Sequence, residues 1–110
     1  MESGASQSSG KLNERRIYFI LQALSWRYPG TEQGDRGKFV TVYSLTRSVG
    51  RDMGKTLRDV DIKAIILYLG SKGFVEISES ETGSILCRIT KKGFDEYLLW
   101  RDLRKHIGLV

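Results

Sequence analysis

Apolar residues recur along this chain with two different spacings, and the switches between them divide it into elements. Ile17, Ile20, Leu21, Leu24 and Tyr28 keep the three-and-four spacing of one helical face. Asn13 stands where an N-cap belongs, with Leu12 just outside and Ile17 at the fourth helical position, the pair that forms a hydrophobic staple. Pro29-Gly30 supplies a stop. Phe19 and Trp26 fall off the stripe, so this helix is expected to carry a second covered face. The glycine-rich GTEQGDRG over 30–37 reads as a loop, and residues 39–41 as a short strand.

Val42, Leu45, Val49 and Met53 then define a second helix starting after Thr41. Gly50 interrupts it at a cost of about 1 kcal/mol against alanine, so it either stops there or runs on to Gly54. A third helix begins at Arg58 or Asp59, where acidic residues suit a helix start, and buries Ile62, Ile65, Ile66 and Leu69 before Gly70 or Gly73. The spacing next changes to alternation. FVEIS at 74–78 and ILCRIT at 85–90 flank the polar turn ESETGS, which predicts a β-hairpin. Cys87 shares a strand face with Ile85 and Ile89 and reads as a small buried hydrophobe. Thr90 is placed to cap a last helix, with Ile89 and Phe94 repeating the staple spacing.

The run from Asp61 to Ile77, DIKAIILYLGSKGFVEI, resembles the third helix and first wing strand of MarR-like and PadR-like transcriptional regulators. Lys72-Gly73-Phe74-Val75-Glu76 matches their helix exit. Arg88-Ile89-Thr90-Lys91-Lys92-Gly93, followed by Tyr97, is similar to the Leu-Thr-x-x-Gly lead-in to their next helix. The resemblance covers roughly residues 39–97. It implies an α+β, mostly helical winged helix-turn-helix: a three-helix core, a β-hairpin wing and an extra C-terminal helix. The expected organisation is a disordered tail over 1–11 and one domain over 12–110, with a dimerisation helix at about 91–107.

Composition adds a charge. Eighteen Lys+Arg against 13 Asp+Glu give +5 and a pI near 9.5, which favours an acidic partner such as double-stranded DNA. The resemblance implies that the third helix enters the major groove while the second helix and its turn touch the backbone. Carried onto this chain, Arg47, Arg51, Lys55 and Arg58 become phosphate contacts, with Thr56 a neutral donor and Lys63 the best base reader. Ala64 and Asp61 offer lesser contacts, to a thymine methyl and a cytosine amino group. The wing departs from the pattern, because Glu79 and Glu81 replace the usual basic tip. That departure, and a third helix presenting Val60, Ala64, Leu67 and Tyr68 outward, supports an alternative: a winged-helix module that binds a protein partner instead of DNA.

In the last helix Phe94, Tyr97 and Leu98 point one way and Leu99, Trp100, Leu103 and Ile107 the other. The second set, with Trp100, Leu103 and Ile107 at its centre, is expected to form a homodimer interface completed by Phe19 and Trp26. Catalysis is not expected. One histidine, His106, and one cysteine offer no metal-ligand spacing, and no cofactor is called for. VGRDMGKT ends like a phosphate-binding loop, but Val49 stands where its first glycine belongs. No run reaches the ~18 apolar residues of a membrane span, and a cytoplasmic location is expected.

Overall fold

The Thr41 hydroxyl accepts a hydrogen bond from the Ser44 backbone N–H at 3.0 Å, and the second helix starts at that cap. The computed structural model describes residues 2–26 and 39–106, with side chains over 14–26 and 39–103. In order, the elements are α1 (Glu2–Ser25), β1 (Val40–Thr41), α2 (Val42–Met53), α3 (Asp59–Ser71), β2 (Val75–Glu79), β3 (Ile85–Ile89) and α4 (Lys91–His106). Tyr28, Pro29-Gly30, the expected loop at 30–37 and Ile107 lie outside the described residues.

The first helix differs from expectation at its start. Its backbone runs from Glu2, so Asn13 sits inside α1, and helical backbone occupies most of the segment expected as a disordered tail. No proline interrupts residues 2–12, and an existing helix gains one hydrogen bond per added residue without a new nucleation cost. At the other end α1 closes at Ser25, whose hydroxyl donates to the Gln22 carbonyl at 2.7 Å.

The predicted stripes meet in one core. Ile20, Leu21 and Leu24 from α1, Val49 from α2, and Ile62, Ile66 and Leu69 from α3 are almost fully buried. Phe19 gains the partial cover expected for a second face of α1, whereas Trp26 stays exposed. Helix α4 joins through Tyr97, whose ring lies 5.7 Å from that of Tyr18.

The three strands are antiparallel in the order β1-β3-β2. Cys87 on the central strand pairs with Val40 on one side and Ile77 on the other. Its thiol is buried, and burial pushes its pKa up to about 12. The thiolate is therefore suppressed, as the reading of a buried hydrophobe requires.

Gly73, at a φ of 82°, turns the chain out of α3 into the hairpin. The Thr90 hydroxyl donates to the Gly73 carbonyl at 2.7 Å and accepts from the Gly93 N–H at 3.1 Å. One side chain thus caps α4 and ties it to the root of the wing.

Candidate nucleic-acid interface

The site is built on the turn from α2 to α3. Gly54 ends α2 at a φ of 73°, and its N–H donates to the Arg51 carbonyl at 3.2 Å. The chain then folds back, and the Lys55 N–H donates to the Gly50 carbonyl at 2.9 Å. A Cβ on Gly50 would stand 2.7 Å from the Lys55 carbonyl oxygen. Glycine is therefore required there by the returning chain, which resolves how α2 passes it and continues to Met53.

That fold-back brings four of the six sequence-predicted residues together. Arg47, Arg51, Lys55 and Thr56 line one open depression beside Tyr43 and Asp59. All four are exposed, so their charges and hydroxyl are presented to solvent. The other two lie elsewhere. Arg58 is the N-cap residue of α3 but makes no side-chain cap; its guanidinium reaches Asp61, with Nε 3.3 Å from Oδ2 and Nη2 3.4 Å from Oδ1. The pair is largely exposed, so it is worth at most about 1 kcal/mol and can be exchanged for another anion. Lys63 lines a neighbouring depression with Tyr43, Val60 and the wing-turn residues Gly83 and Ser84.

Sequence reasoning passed over Tyr43. This exposed residue borders both depressions. Its hydroxyl accepts from Arg47 Nη1 at 3.4 Å, and the Arg47 guanidinium lies 5.6 Å from the ring centroid. The i,i+4 spacing of Tyr43 and Arg47 was the available signal.

Helix α3 keeps its predicted faces. Its four core residues are buried, while Val60, Lys63, Ala64, Leu67 and Tyr68 are exposed. The wing turn is closed by the Ser80 N–H donating to the Ser84 carbonyl at 2.9 Å, with Gly83 at a φ of 91°. Glu79 and Glu81 are exposed at this tip. Arg88, the basic residue at the wing's base, pairs with Glu76 at 2.9 Å and stacks 4.4 Å from the Phe39 ring centroid. It serves the sheet.

On α4, Leu99 and Leu103 are 55% and 54% exposed. Trp100 leans on the core instead, and its indole N–H donates to Glu96 Oε2 at 2.8 Å. Among the described residues no three or more His, Cys, Asp or Glu are grouped to hold a metal ion. No described helix is long and apolar enough to cross a membrane.

Neither a family model nor a curated protein matches this chain. Solved structures do. A transcriptional regulator from Clostridium thermocellum superposes with a TM-score of 0.62 at 17% identity, over 91% of this chain and 93% of its own. A winged-helix DNA-binding protein from STIV gives 0.60 at 18% identity, over 88% and 91%. The fold is a winged helix. A PadR-family transcriptional regulator from Eggerthella lenta shares it, with a TM-score of 0.55 and 20% identity over 98% of this chain and 94% of its own. The four helices and three-stranded sheet seen here thus take the arrangement that the sequence resemblance implied.

Proposed function

We propose that this chain is a non-enzymatic, DNA-binding transcriptional regulator that holds duplex DNA through α2 and α3 and acts as a homodimer. The carrying observation is the depression at the α2–α3 turn, where Arg47, Arg51, Lys55 and Thr56 converge on a winged-helix frame. Three cations and a hydroxyl around one opening suit phosphate anchoring. A winged-helix neighbour described as DNA-binding supports the same reading.

Binding of the whole chain to mixed-sequence duplex across a salt series tests it. Affinity is expected to fall steeply with salt, and the slope of log K against log salt to shrink by about one for each of Arg51→Gln and Lys55→Gln. Absence of binding at low salt, or slopes unchanged in both variants, would reject the phosphate role.

The dimer rests on Leu99 and Leu103, which leave α4 with apolar surface uncovered, and on Trp26, 55% exposed on α1. Apolar surface of this kind marks association sites. Leu103→Glu is the informative change, because Trp100 also serves the core. Sedimentation is expected to show a dimer for the parent chain and a monomer for the variant; equal masses would remove α4 from the interface. The alternative, a protein-binding module, draws on the acidic wing and the apolar face of α3, and flat salt behaviour would favour it.

A further inference from the structure

The outward face of α3 is chemically odd for a helix that reads bases. Among its exposed residues Lys63 is the only basic one, and Val60, Ala64 and Leu67 form an apolar ridge. At about 100° per residue Leu67 lies nearly in line with Val60, with Lys63 about 60° to one side and Ala64 about 40° to the other. The surface agrees: Val60 and Lys63 border the depression toward the wing, while Ala64 borders the one toward α1. Val60 is 60% and Leu67 48% exposed.

Hydrogen-bond readout of bases depends on Arg, Lys, Asn, Gln, Glu or Asp at such positions. The acidic side chains of the first turn sit at the flanks, and Asp61 is engaged by Arg58. What the ridge offers is small aliphatic surface, and the major groove presents one apolar group, the pyrimidine C5-methyl. We propose that Val60, Ala64 and Leu67 read pyrimidine C5-methyl groups, so that sequence preference comes from apolar contact while the α2–α3 turn holds phosphate. The inference rests on the DNA-binding reading above.

Two observations favour DNA over a protein as the occupant. The ridge has no aromatic or arginine anchor at its centre, where protein interfaces concentrate their binding energy. The aromatics near it stand at its flanks: Tyr68, with the Lys72 ammonium 5.7 Å from its ring centroid, and Tyr43 of α2, across the depression toward the wing. The ridge also lies next to a depression bordered by Lys63, which adjoins the Arg47–Arg51–Lys55 opening at Tyr43 and Asp59, so that four basic groups stand against one carboxylate. That charge suits a polyanion.

Thymine and 5-methylcytosine carry the same methyl, and the test separates them. Fluorescence anisotropy with the full chain would compare alternating A/T duplexes of about two helical turns with their uracil counterparts. Alternating G/C duplexes would be compared with their 5-methylcytosine counterparts. Each pair differs only in the methyl. Loss of a contacted methyl is expected to weaken binding about three- to fourfold. Thymine over uracil with no effect of cytosine methylation assigns the contact to thymine; preference in both pairs assigns it to the methyl wherever it stands.

Leu67→Gln and Val60→Ser are expected to reduce the methyl ratios while keeping the salt slope. Salt-dependent binding with equal affinities within both pairs overturns the inference and leaves the DNA reading intact. Ratios that persist in both variants assign the effect to duplex shape and also overturn it. No binding to any duplex rejects both.

Discussion

Gly93 shows how a single residue can be fixed by what approaches it. A Cβ there would run into the Phe74 carbonyl oxygen and stand 2.8 Å from Ile89 Cγ1. Backbone cannot retreat as the end of a long side chain can, because the Thr90 N–H donates to that same carbonyl at 3.1 Å. Gly93→Ala is expected to destabilise the fold by about 1–3 kcal/mol, the usual range for overpacking. Gly54 is a useful contrast. A Cβ there meets nothing within 4 Å, and only its φ of 73° resists substitution. Gly54→Ala should therefore cost about 1 kcal/mol, from left-handed backbone alone. Urea midpoints of the two variants check the order; an equal or smaller loss at Gly93 would mean that the wing root yields.

Among the elements, α2 shows best what a sequence hides. Its stripe of Val42, Leu45 and Val49 and its Thr41 start were legible, because both depend on local spacing. Gly50 was not, because its reason is the Lys55 carbonyl returning from outside the helix. The sign of a mutation follows. In an isolated helix Gly50→Ala would stabilise by about 1 kcal/mol, whereas here the added methyl meets backbone, and a net loss of roughly 1–2 kcal/mol is expected. Because the displaced turn carries Lys55 and Thr56, the proposed DNA binding should weaken as well. A rise in unfolding midpoint with unchanged binding would refute the account. The clustering behind the candidate site was legible to a similar degree. That Arg47, Arg51, Lys55 and Thr56 come together was readable from the turn they flank, but the partnering of Arg58 with Asp61 needed side-chain geometry. The start of α1 was misplaced for a related reason: Asn13 in a polar stretch looks like a cap, and nothing local says that the backbone is already helical.

At the scale of the whole molecule, charge is distributed unevenly about the outward face of α3. The α2–α3 turn concentrates cations at the start of α3. Adjoining it across Tyr43 and Asp59, the wing turn borders the depression that holds Lys63, and this wing tip carries the exposed Glu79 and Glu81. In the proposed binding mode, a duplex seated on α3 and gripped at the basic turn would pass near these carboxylates. They lie in water, where the repulsion is modest and is screened over about 8 Å at physiological salt. Replacing both with glutamine is therefore expected to tighten DNA binding at low salt by on the order of two- to threefold per charge. The gain should vanish as salt rises. Asp102→Asn supplies the control, since it changes net charge by one unit on α4. The comparison is decided by anisotropy titrations at low and high salt. A gain no larger per charge than the control's would mean that only net charge matters and that the wing stands clear of the duplex. A loss of affinity would mean that the glutamates make favourable contacts, and the acidic wing would then belong to the binding surface.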